Sequence, residues 1–331
     1  MTLREKNKVL YLYFILSVLV ILIHSINNAT KFEMFFSIEK GIGQFAVPLF
    51  FYISGFLFFR TAYSIDDVKR KLKKRVYTLL IPYLIWNLIY YAIKLLFNPG
   101  SGISMMSILD AAFNHTYNPA FWFMYQLILL NILSPLFFKA LKNRDFIIIF
   151  YAVLVALIIF AVDLPYINED AMIYYFSGAV FSKLYNRGKV SFISKKYALY
   201  MILVSAVMYI LNRFCYAHFL KNLFTLSIIL VRLTFSIFIF YFVDIFFKYE
   251  KTYSFMEHTF FLYAIHYMIV KAMIMFMRFI SIKILPANYL ETIEIITFIL
   301  SPIVSIIINI YLVNFLRKHF NKAYRLLSGD R

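Results

Sequence analysis

The sequence predicts an all-α integral membrane protein of about ten transmembrane helices around a central cavity. Three observations predict it. The 331-residue chain is 63% hydrophobic and 21% aromatic, with mean hydropathy +0.77. A soluble domain is roughly 45–50% apolar, and a water-soluble fold of this length has no interior large enough for the excess. Runs of about 20 apolar residues, the length that crosses a hydrocarbon core, recur from end to end. Basic residues gather in alternate connecting segments, the pattern of a multi-pass chain.

The spans follow in order. The first, 9–28, carries His24 near its outer end. At about 100° per residue, Lys6, Tyr13, Ser17 and His24 fall on one line along it, with Asn28 close to its end. The rest of its surface is Leu, Ile, Val and Phe. A titratable group on an apolar helix is costly, so this stripe is expected to line a cavity. The second span, 44–63, holds Ser54-Gly55. The third, 76–97, follows a basic run ending at Arg75, and Pro82 predicts a kink there because proline has no amide hydrogen to donate. The fourth, 121–138, opens near Trp122 and contains Pro135. The next four are 146–163, the short and tilted or partly re-entrant 171–185, 198–214, and 223–247 with Arg232 at mid-span. The ninth, 255–277, places His266 on a face with Thr259 and Tyr263, and the tenth is 292–316. No linker or repeat divides them, so 1–331 reads as a single domain. The first apolar run continues into polar residues without a small-residue cleavage site, so no cleaved leader is expected. Cys215 is the only cysteine, which excludes an intrachain disulfide. No His-x-x-x-His or Glu-x-x-His pair occurs, and no metal is expected.

The net charge of +18 need not mean nucleic acid. With the N-terminus inside, most of the 34 basic residues fall in cytoplasmic segments, as the positive-inside rule requires. Both termini are therefore expected in the cytoplasm of a cell-membrane protein. The run Asp66 to Arg75 has two readings. It is a topology anchor on anionic lipid headgroups, or a mouth that concentrates a phosphorylated donor.

Five segments resemble the acyltransferase 3 family of membrane-bound O-acyltransferases, whose members include wall and polysaccharide O-acetyltransferases and intercellular-adhesion-type polysaccharide modifiers. They are Val18 to His24-Ser25; Ala46 to Leu57 with Pro48-Leu-Phe-Phe and Ser54-Gly55; Lys74-Arg75 with Ile81-Pro82-Tyr83 and Trp86; Phe121-Trp122-Phe-Met-Tyr125; and Phe260 to His266 with Tyr263 three residues before the histidine. The resemblance implies transfer of an acyl group from cytoplasmic acyl-CoA, in the simplest case acetyl-CoA, to a hydroxyl of an extracytoplasmic or lipid-linked glycan. It also implies polysaccharide-synthesis proteins as possible partners. The chain departs from the family pattern at three places. Tyr13 stands where an arginine often precedes the first-helix histidine, Thr78 where an Arg-x-x-Arg pair would end, and Ala120 where a histidine often precedes the Trp-Phe pair. Lys6, Arg70 and Lys74 are candidate substitutes for donor binding beside Tyr13 and Arg75.

Moving an acyl group from a thioester to an alcohol needs a base for the hydroxyl proton, and imidazole is suited to it near neutral pH. His24 and His266 are the candidates. Charge building on the carbonyl oxygen needs a fixed donor; Tyr13, Ser17, Tyr52, Ser54 and Arg232 qualify by type, and Trp122 by its ability to stack on a sugar. Each has a plainer reading. His24 and His266 can be helix–helix hydrogen-bonding groups, Trp86 and Trp122 interface anchors, and Glu257 and His258 solvated charges. Arg232 has no carboxylate on its own face, so its partner is on another helix or is a ligand anion. Two other functions compete. A polysaccharide exporter or lipid-carrier flippase would show inverted repeats or broken helices at matching positions, and an inactive relative would serve as a scaffold of a synthesis machine.

Overall fold

The computed structural model describes residues 1–26, 44–98, 102–283 and 290–330. Among these the regular elements are helices, and no strand occurs. Helix α1, Leu3–Ser25, starts at a reciprocal cap in which the Thr2 hydroxyl accepts from the Glu5 amide and the Glu5 carboxylate from the Thr2 amide. Asn28 lies outside the described residues. Helix α2 is Gln44–Phe59. The basic run forms α3, Ile65–Arg75, capped the same way by Ser64 and Asp67. It buries Val68 and exposes Lys69, Arg70, Lys73 and Lys74.

Between α3 and α4, Ile81–Phe97, lies a π-helical turn, Val76–Leu80. Pro82 explains it. Its ring nitrogen cannot donate to the carbonyl of residue 78, the ladder widens, and the Ile81 amide donates to Val76 O five residues back. Helix α5, Met105–Asn114, is closed by a Ser104–Ser107 capping box. Helices α6, Trp122–Ile132, and α7, Ser134–Lys142, occupy the expected fourth span. The segment Pro119–Ile132 and α7 meet at a 55° bend, where Pro135 removes the amide that would reach residue 131. Then come α8, Arg144–Ile159; α9, Glu169–Asn186; α10, Lys195–Ala217; α11, Lys221–Phe246; α12, Thr259–Lys283; α13, Leu290–His319; and α14, Asn321–Ser328.

The span count differs from the ten expected. Among the described residues, six helical stretches are long and apolar enough to cross a membrane, or seven if the bent pair is one span. Helices α2 and α8 fall where spans were expected, but each has 16 residues. Helix α9 has 18 but is interrupted by Ser177, Ser182 and Lys183.

The chain forms two compact units, each drawn from several stretches. The first comprises 1–12, 44–73 and 129–252. Its core is the crossing of α2 with α9. A Cβ on Gly55 would lie 2.0 Å from Tyr175 O, and one on Gly178 1.8 Å from Tyr52 O. Each glycine thus admits the other helix's backbone, as small residues do in membrane bundles. Phe56, Phe181, Phe192 and Phe240 fill the space beside it.

The second unit comprises 13–43, 74–128 and 253–331. Helix α4 organises it with two polar faces. Tyr83, Asn87 and Tyr91, four residues apart, bond Phe113 O, Ala112 O and Ser107, so α5 packs antiparallel to α4. Trp86 and Tyr90 point to other neighbours. Trp86 donates its indole N–H to Leu327 O and is buried, which corrects its reading as an interface anchor. The C-terminal helix α14 docks on this unit. Gly329, at φ 66°, lets its backbone lie against Thr78 O. The Tyr324 hydroxyl bonds His258 Nδ1 at 2.8 Å, and the Arg317 guanidinium lies 3.3 Å from Nε2. His258 is therefore an engaged group, not a solvated charge.

Candidate active site

The candidate site is built on α1 and α12. On α12, Leu262, His266, Val270 and Ile274 recur every four residues, so they form one stripe. The three aliphatic members join Ile21 of α1, with Ile306 packed alongside. His24 is one turn beyond Ile21. The two apolar stripes thus bring the two histidines together, with ring centroids 5.3 Å apart and planes tilted by 41°. Tyr267 closes edge-on against His24 at 5.5 Å. His266 is wholly buried and His24 partly accessible.

The backbone around His266 is fixed from three directions. Its Nδ1–H donates to Tyr263 O. The Tyr263 hydroxyl donates to Ala120 O, and its ring stacks on Phe121 with centroids at 5.8 Å. From α4, the Tyr90 hydroxyl donates to Ala264 O at 2.9 Å and accepts from the Met268 amide at 3.3 Å. It is inserted into the hydrogen-bond ladder of α12 at the turn that carries the histidine. With Nδ1–H committed, a neutral His266 ring keeps its lone pair on Nε2. That atom is buried and has no hydrogen-bond partner among the described residues. A buried polar atom without a partner calls for an explanation, and chemistry is one.

A family model for the acyltransferase domain named acyltransferase 3 matches residues 11–314, nearly the whole chain. The chain belongs to the acyltransferase 3 family. The protein is accordingly a membrane acyltransferase with several apolar helices. No curated protein and no solved structure matches it.

The other residues singled out in this acyltransferase do not all gather at the histidines. The Ser17 hydroxyl is spent on Tyr13 O of its own helix at 2.7 Å. Lys6 is exposed, so the stripe does not continue as a buried line. Arg70 is exposed and pairs with Asp67 of its own helix. Lys74 is exposed and Arg75 half-buried at the end of α3. Trp122 is 37% exposed at the start of α6. Within the first unit, Ser54 is half-buried beside Gly55, and Tyr52 is buried against Phe181 and Phe240.

Arg232 has its partner on another helix. A guanidinium nitrogen lies 3.7 Å from the Asp170 carboxylate of α9, and Gln44 of α2 accepts from it at 3.1 and 3.3 Å. An open cavity of about 380 Å³, edged by Asp163, Glu169, Lys221 and Thr225, reaches down to this pair. A charge in the middle of α11 is thus paired with groups of other helices and borders an open cavity.

Four residues escaped the sequence reading. Lys8, one of the basic residues before the first apolar run, is wholly buried on Asp244. Tyr90 carries no motif of its own. His115 ends α5 in a left-handed turn, φ 46°, with Nδ1 3.4 Å from the Tyr83 hydroxyl and its ring against Tyr125. Lys271 lies over the Tyr267 ring, its ammonium 5.4 Å from the centroid.

Proposed function

We propose that this protein transfers an acyl group, in the simplest case acetyl, from cytoplasmic acyl-CoA to a hydroxyl of an extracytoplasmic or lipid-linked glycan of the cell envelope. The observation that carries this reading is the His24–His266 pair, with one partly accessible ring and one enclosed ring whose Nε2 has no hydrogen-bond partner among the described residues. His24 is the base. It takes the proton of the acceptor hydroxyl as the oxygen attacks the thioester carbonyl. The tetrahedral centre collapses, the C–S bond breaks, and the CoA thiolate leaves with a proton returned from the imidazole. Ester and free thiol are the products. His266 acts through His24. Its ring packs against His24 at 5.3 Å, and its Nε2 lone pair favours the imidazolium formed during attack. Lys271 adds a positive charge for the developing oxyanion. The bases of α3, exposed Arg70 and Lys74 with half-buried Arg75, raise the local concentration of the phosphorylated donor.

The deciding experiment measures thiol release from acetyl-CoA, with and without glycan acceptor, by the full-length protein in nanodiscs. His24→Ala should lower the rate about 10²–10⁴-fold, the usual worth of a general base, with the protein still monodisperse. A folded His24→Ala variant with near-normal turnover would remove the histidine from the chemistry. Orientation has its own check. Cys215, half-buried near the end of α10, should react with an impermeant thiol reagent in intact cells. Reaction only after permeabilisation would invert the topology.

A further inference from the structure

The first unit contains a second cavity of about 340 Å³ that plays no part in the histidine chemistry. It lies where the first turn of α1, the start of α10 and the segment after α11 meet. Arg4, Lys195 and Lys248 line it, together with Asp244, Tyr249 and Glu250. Its volume is within the roughly 300–1,000 Å³ of small-molecule sites.

The charges around it are not balanced. Asp244 is already occupied: Lys8 lies 2.8 Å from one oxygen, and the Tyr249 hydroxyl and the Ser194 amide donate to it at 2.8 Å each. Glu250 is the other carboxylate, 3.9 Å from Arg4, with both side chains more than half exposed. Such an exposed pair is weak. Lys195 and Lys248 have neither an ion pair nor a hydrogen bond among the described residues. They are exposed ammonium groups at the edge of a concave site.

The wall is also rigid. Tyr249 holds φ 57°, a left-handed conformation costly for an aromatic residue. It is kept there from both ends. Asn7 donates its side-chain amide to Tyr249 O at 2.9 Å, while the Tyr249 hydroxyl is tied to Asp244. A topology anchor needs positive charge alone. It has no use for a shaped cavity or for a strained residue fixed by two buried side chains.

We propose that this cavity is a binding site for a phosphate group, with Arg4, Lys195 and Lys248 as its cationic contacts. Arginine offers the two-pronged contact that phosphate oxygens accept, and the lysines act as point charges. Two sources present this chemistry at a membrane surface, an anionic phospholipid headgroup and a soluble nucleotide phosphate. The site does not depend on the histidine pair being catalytic.

The test uses the full-length protein in detergent. Phosphatidylglycerol retention is read by native mass spectrometry, and binding of adenosine 3′,5′-bisphosphate by calorimetry. Lys195→Gln with Lys248→Gln should weaken whichever ligand is bound by about tenfold or more, the usual loss for charge-assisted contacts. Lys318→Gln with Lys322→Gln, two exposed lysines near the C-terminus and an equal change in net charge, should leave it unaltered. Loss confined to the lipid assigns a headgroup site, and loss confined to the bisphosphate a nucleotide site. Binding of neither probe by the unaltered protein would overturn the proposal. So would equal weakening in both double variants, because charge alone would then account for the effect.

Discussion

Two buried polar clusters invite comparison. In the first unit, Lys8 and Asp244 are wholly enclosed, and their charges and hydrogen-bonding positions are well supplied. Lys8 donates to Phe192 O at 2.7 Å and sits 3.9 Å from the Phe240 ring centroid, while Asp244 accepts from Lys8, Tyr249 and Ser194. In the second unit, His266 is as deeply buried in apolar surroundings and His24 is partly accessible, but Nε2 of His266 has no hydrogen-bond partner among the described residues. A saturated network fixes structure; one left open keeps a valence for a reacting group. The first cluster should govern folding and the second activity, although both are polar groups in apolar cores.

The largest expected effect is on turnover. His266→Ala should lower acyl transfer by a large fraction of the loss in His24→Ala, and the double variant should be hardly worse than His24→Ala alone, since the two rings act as a unit. Additive losses in a transfer assay would break the pairing. Next is stability. Lys8→Ala leaves a buried carboxylate unpaired and should cost about 3–5 kcal/mol, read as a loss of monodisperse protein on size exclusion and a lower Tm. The compensated variant Lys8→Met with Asp244→Leu should recover much of that loss, because well-packed apolar pairs replace buried ion pairs at little cost. Recovery of neither Tm nor yield would give the cluster a role beyond holding the fold.

Two smaller effects sharpen the contrast. Gly55→Ala forces a methyl into the Tyr175 carbonyl and should destabilise by about 1–3 kcal/mol, typical of overpacking, with little change in the KM of the surviving protein. Tyr90→Phe removes one hydroxyl from the α12 ladder. It should cost about 0.5–1.5 kcal/mol of stability and reduce kcat more than KM, since it shifts the backbone under His266. A Tyr90→Phe enzyme with unaltered kcat would show that the turn holding His266 needs no support from α4.

Much of this molecule is legible in its sequence. Apolar runs of membrane length predict helices because unpaired backbone groups are intolerable in lipid. His24 and His266 stand out because titratable groups interrupt apolar stripes, and the stripe Leu262–His266–Val270–Ile274 has its four-residue period in plain view. Pro82 and Pro135 mark places where the ladder is disturbed, since a missing amide hydrogen is a property of the residue itself.

The tertiary structure decided the rest. Lys6 and Lys8 are two residues apart and chemically the same, yet one is exposed and the other wholly buried. Periodicity says which residues share a face but not which face meets a neighbour, and the Lys8 partner lies 236 residues away. The same holds for Gly55 on Gly178, for Tyr90 inserted into α12, and for Arg4, Lys195 and Lys248 around one cavity. Each depends on where separate helices pass each other, and packing of whole surfaces sets that position, a quantity no local run of residues contains.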